Sequence, residues 1–367
     1  MKKVVYVSGA RSDYSLMKRT LKLLSTKVEL TIIATCMHLS PKYGNTLREI
    51  ESDGHKIRKV DMLLESGDPG SMAKSFGLGA YGITQVLEEI GPDLMLLEGD
   101  RGESLAAAVA GGYLNIPIMH HGGGDTSGSV DNKIRDAITA FSLYHLVGNE
   151  RSYEKLIRSG IPPDRVYCVG EPGLDDIFLK AYTPRDEIIQ KYGIRKGEPL
   201  ILLVQHPNTE EYDETEQQIN ATLAAIAGSR IQTIAVFSNA DAGGKIINAR
   251  LGEMSEKNPS FTVFPNIPRA DFLGLMNVCD CMLGNSSSGL VELASFSKPF
   301  VCIGTRQHDR LLPAHVIEVP YDQKAIGTAI KKAVSDKKYL QSLKNLSNPY
   351  AKGNASENIV DIIMKHA

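Results

Sequence analysis

Short apolar runs rich in β-branched residues recur along the whole chain, separated by longer stretches of helical period. In the first half these runs are VVYVSG (4–9), ELTIIATC (29–36), KIRKV (56–60), LMLLEG (94–99), IPIMHH (116–121), YHLVGN (144–149) and VYCVG (166–170). Most are apolar throughout rather than alternating. That predicts strands buried on both faces, and hence a parallel sheet. A polar, proline-containing segment runs from Asp175 to Pro199. The rhythm then restarts with LILLVQH (200–206), IQTIAVFS (231–238), FTVFP (261–265), CDCMLGN (279–285), PFVCIG (299–304) and HVIEV (315–319). The pattern predicts an α/β protein with two doubly wound domains, residues 1–175 and 176–352, joined near 175–185. The amphipathic stretch 353–367 has no strand after it, and by fold-level analogy it packs back on the first domain. In open parallel sheets, ligands bind beyond the carboxyl ends of the strands. The polar residues that follow each run are therefore the candidates for function.

A length of 367 residues suits two cores better than one. The formal net charge is -2, so no basic excess suggests a nucleic-acid or membrane-surface partner, and an anionic ligand must be met by a local site. No apolar run reaches the roughly 18 residues of a membrane span. The opening MKKVVYVSG has a short apolar run that ends in Gly, which reads as a first strand rather than an export signal. The five cysteines are Cys36, Cys168, Cys279, Cys281 and Cys302, each in a strand-like run, and no second pair completes a zinc site. They read as buried reduced thiols, which implies the cytoplasm.

The loop after the first run is Gly9-Ala10-Arg11-Ser12-Asp13. A Gly turn into a helix N-terminus favours an anion, and Arg11 adds a phosphate contact; the plainer reading is a βα turn with Asp13 as a cap. Gly77–Gly82 spells GxGxxG but follows no strand, so it lacks the context of a dinucleotide site and reads as a packed helix start. After the fourth run come Asp100 and Arg101: the carboxylate is either a helix cap or an acid/base group, and the cation beside it holds it ionised. The densest group follows the fifth run: His120, His121, Gly122–Gly124, Asp125, Asp131 and Arg135. Adjacent histidines at a strand end point to opposite faces, so acid/base or substrate contacts fit better than a metal site. Arg135 lies one helical turn beyond Asp131 and faces the same way.

In the second half, His206 follows a run, as do Asn239 and Asp241. Asn285-Ser286-Ser287-Ser288-Gly289 leads into a helix that contains Glu292, and hydroxyls with glycine at such a start suit a diphosphate. Arg306 ends the series.

Taken together, the segments GARSDY, GDR, GGGDTSGSVDNKIR, NADAGG, GNSSSGLVE and GTRQ resemble the UDP-N-acetylglucosamine 2-epimerase superfamily, closest to its hydrolysing branch, over roughly residues 4–310. The resemblance implies two Rossmann-like domains of the glycosyltransferase-B type with the active site in a cleft between them. It implies a UDP-sugar substrate, no cofactor, and a homodimer as is usual in the family. Asp100 and Asp131 match two catalytic acids, and His206 matches a cleft histidine. Ser286, Ser287, Glu292 and Arg306 match nucleotide-binding positions, and Arg11 the first-loop arginine. One position departs from the pattern. A third acid ahead of the double glycine falls on Gly122, while Asp125 aligns with a later acid of that loop. Either His121 or Asp125 takes over the missing role, or the substrate differs. His121, adjacent to the gap, is favoured over His120 as proton donor. The implied path is removal of the C2 proton, elimination of UDP to a glycal, and hydration. A glycosyltransferase, a non-hydrolysing epimerase and an inactive nucleotide-sugar-binding protein are the competing readings.

Overall fold

A computed structural model describes all 367 residues. Each apolar run forms a strand. In the first half these are β1 (Lys3–Ser8), β2 (Glu29–Thr35), β3 (Lys56–Val60), β4 (Leu94–Glu98), β5 (Ile118–His121), β6 (Tyr144–Val147) and β7 (Val166–Cys168). In the second they are β8 (Leu200–Val204), β9 (Gln232–Val236), β10 (Phe261–Phe264), β11 (Cys281–Gly284), β12 (Phe300–Ile303) and β13 (Val316–Val319). The first sheet has the order β3-β2-β1-β4-β5-β6-β7 and the second β10-β9-β8-β11-β12-β13. Every neighbouring pair is parallel. Strand order reverses between β1 and β4, and again between β8 and β11. These are the two switch points at which the topology opens a crevice above a sheet.

The apolar runs account for this layering. Along β1, Val4 and Tyr6 enter one core with Met17, Leu21 and Leu24 of the helix Arg11–Leu24. Val5 and Val7 enter the core on the other face with Ile83, Val86, Ala106 and Ala107. A strand must be apolar at every position to do both. The glycine-rich stretch Gly77–Gly82 lies inside the helix Pro69–Ile90, not at a helix start and not after a strand. No helix is long and apolar enough to cross a membrane. No disulfide joins any of the five cysteines, and Cys168 alone is not fully buried.

The chain divides into two compact units. One comprises Met1–Thr126, Val130–Asp175 and Tyr350–Ala367; the other comprises Ser127–Ser129 and Asp176–Pro349. The last helix, Ala355–His366, thus belongs to the first unit. Its residues Ile359, Val360 and Ile363 are buried in the same core as Met17, Leu21 and Leu24. The Asp175 carboxylate fixes its start by accepting hydrogen bonds from the backbone N–H groups of Ala355 at 3.2 Å and Ser356 at 2.8 Å. Burying an aliphatic side chain of this size contributes about 1.5–3 kcal/mol, so three of them dominate the docking of this helix. Ile359→Ala is expected to lower unfolding free energy by about 2–5 kcal/mol in urea titration, the usual cost of truncating a buried isoleucine. A loss well under 1 kcal/mol would contradict this packing.

Candidate active site

At the switch point of the first sheet, the loop after β1 is closed by its own carboxylate. Asp13 Oδ2 accepts from the backbone N–H of Gly9 at 3.2 Å and of Ala10 at 3.0 Å, and Oδ1 accepts from Ser12 Oγ at 3.0 Å. These N–H groups, expected to be open to a ligand anion, are therefore already bound. Arg11 is the first residue of the helix and half-buried. Burial raises the Asp13 carboxyl to about 7; the Arg101 cation pulls it down, while the charge of Glu103 adds to the rise. Glu103 is buried in the first turn of the helix Gly102–Tyr113 and accepts from Arg101 Nε at 2.7 Å. Gly9 makes room for it: a Cβ there would lie 2.0 Å from Glu103 Oε1, and the carboxylate would have to move. Beyond β2, buried His38 has Ser8 Oγ 2.8 Å from Nε2 and Thr46 Oγ1 2.8 Å from Nδ1.

The ends of β4 and β5 carry the acids. Asp100 forms an ion pair with Arg135, whose side chain is 2% exposed against 27% for the aspartate. The ion pairs seen here reach beyond sequence neighbours. Arg101 meets Glu103, and Arg135, one turn beyond Asp131, reaches Asp100. Asp131 lies in the first turn of the helix Val130–Phe141 and is partly exposed.

His121, the loop group favoured from sequence as proton donor, is bonded at both ring nitrogens. Its side chain is fully buried, with Nδ1 2.7 Å from Glu98 Oε2 and Nε2 donating to the Gly170 carbonyl at 3.0 Å. Burial alone would push its pKa down, but the Glu98 carboxylate outweighs it, with help from Glu171, and holds the ring at about 10. His120 Nε2 donates to the Gly99 carbonyl at 2.7 Å, and burial holds this ring neutral, near 3. Asp125 is also buried. It accepts from Asn149 Nδ2 at 3.1 Å and Ser152 Oγ at 2.5 Å, which anchors its loop to the helix Glu150–Arg158.

In the second unit, Asn285 organises the switch point. Its Oδ1 accepts from the His206 N–H at 2.7 Å, and its Nδ2 donates to the His206 carbonyl at 2.8 Å, which ties the end of β11 to the end of β8. Its own carbonyl accepts from Arg306 Nη1 at 3.2 Å and Gln307 Nε2 at 2.8 Å. His206 Nδ1 accepts from the Asn239 N–H at 3.3 Å, so in the neutral ring the proton sits on Nε2. Asn239 Nδ2 donates to Asp241 Oδ2 at 2.5 Å. Ser286 and Ser288 hydroxyls lie 2.8 Å apart, and Ser287 and Gly289 complete that turn. The helix there is only Ser288–Val291, four residues long. Glu292, expected within it, follows it instead and is buried in an ion pair with Arg269. His206, Asn239, Asn285, Ser286–Ser288 and Arg306 thus gather at one sheet edge of the second unit.

A family model described as UDP-N-acetylglucosamine 2-epimerase matches residues 22–364. The chain belongs to the UDP-N-acetylglucosamine 2-epimerase family. It is an enzyme of the epimerase kind. It is 38% identical over 366 residues to a UDP-N,N'-diacetylbacillosamine 2-epimerase (hydrolyzing) of Legionella pneumophila, covering 99% of this chain and 96% of that one. It is 32% identical over 369 residues to polysialic acid biosynthesis protein P7 of Escherichia coli, covering 99% and 94%. The fold matches a UDP-GlcNAc 2-epimerase from Neisseria meningitidis, crystallised bound to UDP-GlcNAc, with a TM-score of 0.82 at 21% identity, covering 99% and 100% of the two chains.

Glu98, Glu103, Arg269 and Gln307 each bond one of the residues described above, though the sequence does not single them out. For Glu98 the signal was a charge ending an otherwise apolar strand. For Arg269 there was none.

The buried histidines set a pH dependence. Burial, the leading cause in each case, lowers His38 to about 4, His120 to about 3 and His145 to about 4. Their native pKa values lie below the unfolded value, so their contribution is intact above about pH 6.5 and is lost as pH falls toward 4. The melting temperature should drop over that window. His120→Gln, which keeps an N–H for the Gly99 carbonyl, should flatten the drop by up to about 3 kcal/mol at pH 4. An unaltered acid limb in that variant would contradict the assignment.

Proposed function

We propose that the chain is a hydrolysing 2-epimerase of a UDP-N-acetyl sugar, UDP-GlcNAc or a 2,4-diacetamido-trideoxy analogue, which releases UDP and the free 2-epimeric sugar. The observation that carries the reading is Asp100: a partly exposed carboxylate at the switch point of the first sheet, backed by a buried arginine. The similarity to a relative named as hydrolysing supports the outcome. In this reading one aspartate, Asp100 or Asp131, takes the C2 proton. The C2–H electrons form the C1=C2 bond of a glycal as the C1–O bond to UDP breaks. Water then adds its hydroxyl to C1, and C2 is reprotonated from the opposite face. A positioned carboxylate suits a weakly acidic C–H, and placed cations suit a leaving diphosphate.

The second unit holds the nucleotide. The Ser286–Ser288 turn, the Arg306 guanidinium and His206 Nε2–H supply donors to the diphosphate. Glu292 is the candidate for the ribose hydroxyls, with Arg269 holding its carboxylate. The path requires no redox cofactor. Mostly buried cysteines without disulfides support a cytoplasmic location, and the resembled family supports a homodimer.

Incubating the protein with UDP- and GDP-N-acetyl sugars and following nucleotide and sugar by NMR tests the reaction class. Free UDP and free sugar are expected, with solvent deuterium at C2. Release without that deuterium, or only with an added acceptor, would favour a glycosyltransferase or a simple hydrolase. Asp100→Asn and Asp131→Asn should each cut turnover by roughly 10²–10⁴-fold, the range for a general acid or base, with UDP affinity nearly unchanged. Full activity in both would remove these residues from the chemistry. Arg306→Ala should weaken UDP binding by about 1.5–3 kcal/mol in calorimetry, the scale of a lost charged hydrogen bond. An unchanged dissociation constant would refute this placement of the nucleotide.

A further inference from the structure

Three successive residues where β4 ends are each held by a different side chain. Glu98 meets His121 Nδ1 at 2.7 Å, the Gly99 carbonyl accepts from His120 Nε2 at 2.7 Å, and Asp100 pairs with Arg135. The backbone adds a fourth tie, from the Gly99 N–H to the His121 carbonyl at 3.0 Å. Exposure separates the two acids: Asp100 is 27% exposed and Glu98 is 9%. The buried acid faces the protein and the more open one faces outward.

The His121 ring sits between two acceptors. The Gly170 carbonyl has no proton to give, so Nε2 must carry one, and Nδ1 faces a carboxylate. Its electrostatic surroundings are Glu98 at the end of β4, Glu171 beyond β7, and the neighbouring His120, which burial keeps neutral. Two acids and no nearby formal cation among these groups favour an imidazolium. Neither ring nitrogen remains for a substrate, since the side chain has no exposed surface. A base that must meet a C–H bond has to be held within a fraction of an ångström, and misplacement by about 1 Å costs on the order of 100-fold.

We infer that Glu98 and His121 form a permanently charged positioning pair, which ties the end of β4, and Asp100 with it, to the Gly170 turn after β7, and that His121 exchanges no proton with the sugar. The kinetic part of the inference rests on the epimerase reading above; the charge state of the ring does not.

Three variants separate the possibilities: Glu98→Gln, His121→Gln and the double variant. Imidazole ¹⁵N signals of the full chain, with His121 assigned by its loss in His121→Gln, report the ring directly. In the wild type the ring is expected to stay doubly protonated through pH 8. In Glu98→Gln it should be neutral at pH 8. There kcat should fall roughly 10- to 100-fold while the UDP dissociation constant stays within about twofold, with partial recovery toward pH 6 as the ring recharges. A merely structural contact would not create that new pH limb. The double variant replaces the ion pair by two amides that can bond to each other, and should regain at least about tenfold in kcat over His121→Gln. A double variant as inactive as His121→Gln would assign His121 to proton transfer and overturn the inference. So would a wild-type ring that titrates near pH 6.5. If His121→Gln fails to fold, Glu98→Gln carries the kinetic test through its new pH limb, and His121 is assigned as the ring whose signal shifts in that variant. If the wild type releases UDP from no sugar in the panel, the epimerase reading fails by itself. The ring signal then decides the pair, doubly protonated at pH 8 in support and singly protonated against.

Discussion

Strands buried on both faces leave no room for an ionisable side chain except at their ends. In this protein that constraint governs both units. β1, β4, β8 and β11 are apolar along their lengths, and the polar residues crowd the turns beyond them. Polar groups brought together at a sheet edge are partly cut off from water and must be paired. The pairing fixes the loops, and the fixed loops form the site. Glu98, Gly99 and Asp100 illustrate this: each is an end-of-strand group, and each has its own partner.

The two units meet the constraint with different chemistry. The first uses charge: Asp13 closes its own loop, Glu103 holds Arg101, and Asp100 and Glu98 meet a guanidinium and an imidazole. Breaking one partner of such a pair strands a buried charge, which is far costlier than losing an exposed one. The second unit uses neutral groups around Asn285, whose amide bonds the His206 backbone in both directions and whose carbonyl collects Arg306 and Gln307. An edge organised by amides leaves the Arg306 guanidinium partly exposed, whereas an edge organised by ion pairs holds its carboxylates in place.

The strands were legible because a run that is apolar at every position has few other homes. The position of Asp100 and Asp131 at strand-end and loop sites was legible for the same reason. The pairing was not. Sequence proximity suggests Arg101 beside Asp100 and Arg135 beside Asp131; that Arg135 also pairs with Asp100, and Arg101 with Glu103, could be read only from the fold. Neighbours in sequence at a strand end diverge, and register across strands decides who meets. Glu98 escaped notice because it closes β4 and looked like part of the run. The true length of the helix at Ser288 was invisible as well, since nothing in GNSSSGLVE marks a stop after four residues.

The departure at Gly122 narrows the chemistry. Its backbone has φ +91°, a region where glycine is at ease and a side chain is strained, so an acid could not be restored there without moving the loop. The other ionisable groups between His120 and Asp131 are enclosed by the fold. His120 and His121 are fully buried and Asp125 is 8% exposed, and all three are bound within the fold. Asp131 alone in that loop retains partial exposure, as does Asp100 at the end of β4. Of the carboxylates named at these strand ends in the first unit, Asp100 and Asp131 keep a partly open face, while Asp13, Glu98, Glu103 and Asp125 are buried.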